Sequence, residues 1–242
     1  MSTPFIVLDV EGYSTCKPYN IGWIVGNKKG EIFAERNFAC MPACFDNLIE
    51  KANKASVKGL ATAHTIAHNN IKEICYDSVG KYEKVFDFDS IFGQLLTDIT
   101  KYGIKRIWAY NCTFDKSALE RLFNEQQFTI LSSLVAFCDI IPAILYTRLL
   151  CPEYIEFCKM NGFITEKGNI QTKAEIVYRY LTGDMEYVEE HTGLADVKDE
   201  FFILRKAMET TKSVKRTPCQ AWKVIKQFCE VEGIYISALD NC

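Results

Sequence analysis

Two carboxylates lie two residues apart at the end of an apolar segment near the start of the sequence. Asp9 and Glu11 close the apolar run Pro4–Val10. Because alternate residues of a strand point to the same face, the two side chains should project together. Paired carboxylates repel each other unless a cation binds between them, and oxygen ligands select hard cations such as Mg²⁺ or Mn²⁺. The alternative is that Glu11 is only the first exposed residue of a turn.

Two more acidic residues follow similar patterns later in the chain. A second apolar segment begins at Ile107 and ends at Asn111, and Asp115 falls in the first turn of the helix predicted to follow. The helix dipole alone would favour an acid at that position. His191 precedes Asp196 with four residues between them, at the start of another predicted helix. Taken singly, neither pattern identifies a site.

Two other groups of residues have the composition or spacing of a binding site. His64 and His68 have the spacing of zinc ligands on a predicted helix, but no third ligand is evident and no Glu lies between them, so we interpret them as part of a packed or solvated helical face. A basic cluster near the end of the sequence consists of Lys212, Lys215, Arg216, Lys223 and Lys226. It could follow the phosphates of a nucleic-acid strand, although a solvated helix face is the interpretation that we favour.

The composition is that of an ordinary globular protein. The chain has 242 residues, of which 48% are hydrophobic, and a formal net charge of −3. This length suits a single large domain with a well-buried core. A slightly acidic chain argues against a broad cationic surface, so a nucleic-acid partner would have to be held locally.

The 11 cysteines are the unusual count, and they include no C-x2-C pair. We interpret them as reduced thiols that act as small core residues, which is typical of a reducing compartment. We expect no signal peptide at the start of this sequence, since Asp9 and Glu11 interrupt its apolar run, and we expect no membrane span, since no apolar stretch is long enough to cross a bilayer. We therefore expect a soluble cytoplasmic protein without a membrane partner.

The elements that must position these residues alternate along the chain. Strands are predicted at Pro4–Val10, Asn20–Gly26, Glu31–Phe38, Ile104–Tyr110 and Leu134–Cys138. Helices are predicted at Asp46–Ser56, Thr62–Tyr76, Asp89–Tyr102, Thr113–Asn124, Ile140–Leu150, Glu153–Met160, Thr172–Leu181 and Leu194–Thr210. A last helix is predicted with Thr217 as its N-cap, Pro218 at its first position and Gly233 just past its end. The pattern indicates an α/β domain over residues 1–211, with residues 212–242 as a helical extension packed on it.

The order of these motifs resembles a known family. A strand with D-x-E, a strand followed by N-x3-D and a late H-x4-D resemble the DEDDh-type 3′–5′ exonucleases, which include ribonuclease T, oligoribonuclease and the proofreading subunit of the bacterial replicative polymerase. The motifs extend from Phe5 to about Asp199, and the Cys138-Asp139 step is similar to the family as well. The overall pattern of this sequence most resembles stand-alone exonucleases of bacteriophages and prophages. The resemblance implies a ribonuclease H-like fold, with a central mixed five-stranded sheet flanked by helices.

The resemblance also implies a reaction. It indicates a two-metal-ion exonuclease that hydrolyses phosphodiester bonds from the 3′ end of single-stranded nucleic acid and releases nucleoside 5′-monophosphates. Two divalent cations, Mg²⁺ or Mn²⁺, would be held by Asp9, Glu11, Asp115 and Asp196. His191 would be the general base that takes a proton from water, since an imidazole titrates near neutral pH.

The residues that would contact the substrate lie next to the acidic motifs. Family members commonly follow the first Glu with Thr-Thr-Gly, whereas this chain has Gly12-Tyr13-Ser14 at that point, which leaves the substrate preference open. Phe114 could stack on the terminal base or pack in the core. Asn111 could orient the substrate or cap the helix.

Several alternatives stay open. DNA is the substrate that we slightly favour, with RNA as the alternative, because no motif reports contacts to the 2′-hydroxyl. Haloacid-dehalogenase-like phosphatases also begin with an apolar strand that ends in a carboxylate, but they need a second Asp where this chain has Glu11. A binding scaffold without activity is disfavoured because all five chemical positions are present. A homodimer or a polymerase partner is compatible with the resemblance.

Overall fold

A computed structural model describes residues 2–12, 18–40, 85–164 and 170–209. The predicted helices at Asp46–Ser56 and Thr62–Tyr76 lie outside the described residues, and so does the predicted extension at 212–242. In the part of the chain that is described, no helix is both long and apolar enough to cross a membrane.

One mixed sheet forms the centre of the fold. Its strands are β1 (Phe5–Gly12), β2 (Pro18–Gly26), β3 (Ile32–Cys40), β4 (Val85–Phe86), β5 (Arg106–Ala109) and β6 (Ala136–Asp139). The spatial order is β4-β3-β2-β1-β5-β6. Strand β2 is antiparallel to both of its neighbours, whereas β5 is parallel to β1 and β6 is parallel to β5. This confirms the α/β, ribonuclease H-like fold class, and the two-residue strand β4 adds a short sixth strand at one edge.

Helices cover both faces of the sheet. They are α1 (Phe88–Tyr102), α2 (Cys112–Leu122), α3 (Glu125–Leu134), α4 (Ile140–Ile144, continued by a π-helical turn at Leu145–Leu149), α5 (Pro152–Met160), α6 (Ala174–Thr182) and α7 (Gly193–Met208). Helices α1 to α3 pack on one face and α4 to α7 on the other. Because side chains alternate along a strand, β1 sends Phe5 and Val7 to the α7 side and Ile6 and Leu8 to the α1 side. This double burial explains why the segment is apolar throughout.

Two helices differ from the sequence prediction. The helix predicted to end at Asn124 ends at Leu122, and a separate helix, α3, begins two residues after Phe123. Asn124 caps α3, since its side chain accepts from the backbone N–H of Gln127 and the Gln127 side chain accepts in return, which is a capping box. The helix predicted at 140–150 is α-helical only to Ile144. Both differences lie outside the segments that carry the candidate site.

Candidate active site

Strand β1 carries the first two acids on the face that α7 covers. Asp9 and Glu11 lie opposite Gly22 and Asn20 of β2 and follow Val7 on the same side of the strand. The Oδ2 atom of Asp9 is buried and has no hydrogen-bond partner among the residues that the structure describes. The Oε2 atom of Glu11 accepts a hydrogen bond of 3.1 Å from the Tyr19 hydroxyl. The Asp9 and Glu11 carboxylates therefore project from the same face of β1 into one region.

Helix α2 brings the third acid against the backbone between the first two. Strand β5 pairs with β1 only at Ile6 and Val7, so the amide of Val10, further along β1, has another partner. It donates a 2.9 Å hydrogen bond to Oδ1 of Asp115, which is 2% exposed. This one bond, between residues 105 positions apart, fixes the Asp115 carboxylate beside the D-x-E pair.

The turn that leads into α2 has a constrained backbone. Asn111 occupies the N-cap position with φ 60° and ψ 51°, the left-handed region that Asn tolerates better than most residues. Its side chain makes no capping hydrogen bond, and within the described ranges its buried Oδ1 atom has no hydrogen-bond partner. Its carbonyl accepts from the Phe114 N–H at 3.0 Å. The Phe114 side chain, in the first turn of α2, is half-buried.

Helix α7 begins in direct backbone contact with β2. The N–H of Gly193 donates a 2.6 Å hydrogen bond to Oδ1 of Asn20, whose own side-chain amide donates to Asn37 at 2.7 Å and to the Phe38 carbonyl at 2.8 Å. A Cβ atom on Gly22 would lie 2.4 Å from the carbonyl carbon of Gly193, so only glycine permits this approach. The contact holds the first turn of α7 over the carboxylates of β1.

The fourth acid lies in this first turn of α7, and the histidine lies just before the N-cap Thr192. Asp196 is 4% exposed, and its Oδ1 atom is buried without a hydrogen-bond partner in the described part of the chain. One potential ligand atom each from Glu11, His191 and Asp196 lie within 4.8 Å of one another. Two sequence motifs that are far apart in the chain are thus brought to one place, and the bond from Val10 to Asp115 adds the third.

Burial raises the pKa of three acids of this cluster, Asp9, Asp115 and Asp196. Burial raises the pKa of Asp9 and of Asp115 well above the ordinary value of 3.8, and the charge of Glu11 raises both further. Burial, followed by the charge of Asp9, raises the pKa of Asp196 to about 11. Such carboxylates resist being ionised at the same time. The Asp9 and Asp196 oxygens that lack a hydrogen-bond partner among the described residues are hard donors of the kind that divalent cations select. The residues therefore fit a site for Mg²⁺ or Mn²⁺.

Two further buried acids adjoin the cluster: Glu200, which no sequence motif includes, and Asp139, which enters only through the Cys138-Asp139 step. Glu200 is 4% exposed, accepts a 3.3 Å hydrogen bond from the Tyr110 N–H, and has a pKa raised well above its ordinary value by burial and then by Asp9 and Asp115. It lies four residues after Asp196 on α7, and this helical spacing is the signal that could have found it. Asp139, at the end of β6, lies beside Ala109 and is fully buried.

The loop before α7 contributes one more acid. Glu189 is mostly buried, and its Oε2 atom lies 3.8 Å from Nδ1 of His191. Burial, followed by the charge of Glu11, raises the pKa of Glu189 to about 7. The His191 side chain is 38% exposed, and its backbone is left-handed, with φ 56°. The imidazole therefore stands on the solvent side of the acidic cluster.

The remaining candidates fall into two groups. Gly12 is the last residue of β1, at the point where its register with β2 shifts. Tyr13 and Ser14 lie outside the described residues, as do His64, His68 and the basic cluster at 212–226.

No protein-family model matches the chain, and no curated protein matches its sequence. Among solved structures, its fold is similar to that of Exonuclease X in complex with 5′-overhanging duplex DNA. That similarity has a TM-score of 0.45 at 12% sequence identity and covers 88% of this chain and 96% of that chain.

Proposed function

We propose that the protein is a metal-dependent 3′–5′ exonuclease that hydrolyses single-stranded nucleic acid, with DNA as the slightly favoured substrate, to nucleoside 5′-monophosphates. The observation that carries the proposal is the convergence of Glu11, His191 and Asp196, whose potential ligand atoms lie within 4.8 Å of one another. The Val10 amide adds Asp115 to this group, and Asp9 stands on the same strand face. Four carboxylates can hold the two metal ions of a phosphodiesterase, and an imidazole can take the proton of the attacking water.

The four carboxylates would hold two divalent cations. The unpartnered buried oxygens of Asp9 and Asp196 support this assignment, since a buried carboxylate oxygen without a donor is costly unless a cation binds it. When bound, such cations lower the pKa of water and stabilise negative charge on the phosphate and on the leaving oxygen.

The chain's own groups then have separate roles. An imidazole nitrogen of His191 takes the proton of the attacking water, and its 38% exposed side chain is reached from solvent. The Val10 N–H and the Tyr19 hydroxyl hold the carboxylates of Asp115 and Glu11 in fixed orientations. Water adds to phosphorus, the bond to the 3′ oxygen of the preceding nucleotide breaks, and the terminal nucleotide leaves with its 5′-phosphate.

The experiment is a digestion of matched single-stranded DNA and RNA oligonucleotides, each labelled at the 5′ or the 3′ end, with Mg²⁺, with Mn²⁺ and with EDTA. A 5′ label should appear in a ladder of progressively shorter products, and a 3′ label should be released as a mononucleotide. EDTA should abolish both. Wild-type protein that only dephosphorylates mononucleotides, or that cleaves nothing with either cation, would contradict the proposal.

A pair of variants on α2 connects the activity to the site. Asp115→Asn removes one charge at the cluster, and Glu120→Gln removes one charge from an exposed position on the same helix. Asp115→Asn should lower the rate by more than about 100-fold, the upper range for the outer partners of a metal site. Glu120→Gln should keep wild-type activity, and equal losses in both variants would exclude this cluster as the active site.

A further inference from the structure

Glu189 lies in the loop between α6 and α7 and faces the site, while its neighbours face solvent. Val188 is 68% exposed and Glu190 is also exposed, whereas the Glu189 side chain is only 20% exposed. Its Oε2 atom lies 3.8 Å from Nδ1 of His191, which is an ion-pair distance. The loop therefore presents one carboxylate inward, against the imidazole.

The loop that presents Glu189 is held two residues earlier, at Tyr187. The Tyr187 carbonyl accepts a 2.8 Å hydrogen bond from Nε of Arg179, and its hydroxyl is hydrogen-bonded to Asp199. The Tyr187 ring also packs on the Tyr178 ring, with 4.4 Å between the centroids. These contacts tie the loop to both α6 and α7, so the position of Glu189 is set by packed elements on either side.

The charges around Glu189 make an inward carboxylate unfavourable without a donor to receive it. The acids Glu11, Glu175 and Asp199 all act against its ionisation, and Lys173 acts in favour. The Nδ1 atom of His191 lies within ion-pair range of this carboxylate, 3.8 Å from Oε2. Contact with the His191 imidazole explains why the Glu189 carboxylate faces inward although other carboxylates surround it.

We propose that Glu189 is a positioning residue for His191. Its carboxylate accepts the Nδ1 proton, which fixes the ring and leaves Nε2 as the nitrogen that takes the proton of the attacking water. One imidazole nitrogen already lies within 4.8 Å of ligand atoms of Glu11 and Asp196. The Nδ1 distance of 3.8 Å is longer than a hydrogen bond, as is common before a substrate binds, and should shorten in the complex.

This inference rests on the proposed function, and kinetics give the first test. Glu189→Ala should lower kcat by about 10-fold to 100-fold and leave KM and the Mg²⁺ requirement unchanged, because the ring is misdirected while the carboxylates stay in place. Glu190→Ala removes the same charge one residue away and should match the wild type. Glu189→Gln, whose amide oxygen still accepts the Nδ1 proton, should lie nearer the wild type than Glu189→Ala.

A double variant separates positioning from a general loss of structure. In a His191→Ala background, Glu189→Ala should add less than about a twofold further loss, because the group that it positions is already gone. A further loss as large as in the wild-type background would overturn the proposal. So would a Glu190→Ala variant that behaves like Glu189→Ala.

The tautomer of His191 gives a readout that does not depend on activity. In ¹⁵N-histidine-labelled protein, with the His191 signal assigned from its absence in His191→Ala, nitrogen shifts report which ring nitrogen carries the proton. The wild type should show the proton on Nδ1, and Glu189→Ala should move it to Nε2 while Glu190→Ala leaves it unchanged. An unchanged tautomer in Glu189→Ala overturns the inference, whereas a wild type without 3′–5′ activity would overturn the proposed function alone.

Discussion

Replacing Asp139 with Asn should remove the contribution of this one carboxyl to the pH dependence of the protein's stability. Asp139 is fully buried, and burial raises the pKa of its carboxyl from 3.8 to about 7. Its Oδ1 atom accepts a 3.0 Å hydrogen bond from the Ile141 N–H, and an amide oxygen can accept the same bond. The Asn variant therefore keeps the contact and removes the ionisation.

The sign and the size of the effect follow from the pKa in the two states. Between pH 3.8 and about pH 7 the folded protein retains a proton on Asp139 that the unfolded chain releases, so the stability of the wild type falls as the pH rises through this window. The difference between the folded and unfolded pKa of Asp139 corresponds to about 4 kcal/mol of unfolding free energy, at about 1.4 kcal/mol per pKa unit. About 3 kcal/mol of this falls between about pH 5 and about pH 8.

Urea unfolding in EDTA at several pH values measures this directly, since the extrapolated free energy of unfolding is obtained for each variant at each pH. The free energy of Asp139→Asn minus that of the wild type should increase by about 3 kcal/mol from about pH 5 to about pH 8. Asp184→Asn removes an exposed carboxylate beyond α6 and should stay within about 0.5 kcal/mol of the wild type throughout. A difference between Asp139→Asn and the wild type that does not change with pH would refute the reasoning.

Two further predictions concern the cations and the contact between β2 and α7. Mg²⁺ at about 100 times its dissociation constant should stabilise the wild type by about 3 kcal/mol and raise its Tm by about 5–10 °C, and equal melting in Mg²⁺ and EDTA would contradict the site. Gly22→Ala should cost about 3 kcal/mol or more and lower activity, because its Cβ would lie 2.4 Å from the Gly193 backbone. Gly93→Ala, in an open position on α1, should be stabilising by about 0.5–1 kcal/mol, and similar thermal melting of both variants would exclude the clash.

The sequence predicted those features of the fold that depend on local patterns. The alternation of β1 between two cores follows from its apolar run, and the same alternation predicts that Asp9 and Glu11 share a face. The first turn of α7 was also predicted within two residues, since His191 and Asp196 flank its start. Each of these inferences needs only neighbouring residues in the chain.

The contacts that assemble the site could not be predicted in this way. The bond from Val10 to Asp115 joins residues 105 positions apart, and the bond from Gly193 to Asn20 joins residues 173 positions apart. No local pattern specifies such distances, although Asn20 inside an otherwise apolar strand does signal a specific polar contact. Helix α3 was missed for a different reason, because its capping box at Asn124 was read as the end of the preceding helix.

The buried acids that the motifs left out change how the cations should bind. Two divalent cations would balance the four motif carboxylates, but Glu200 and Asp139 add acidic groups in the same buried region, and burial raises the pKa of both. Without cations, the cluster therefore holds protons near neutral pH, and a cation must displace some of them to bind. The affinity for Mg²⁺ should accordingly rise with pH, with protons released on binding. Calorimetric titration in two buffers of different ionisation enthalpy measures that release, and equal heats in both buffers would show that the carboxylates are already ionised.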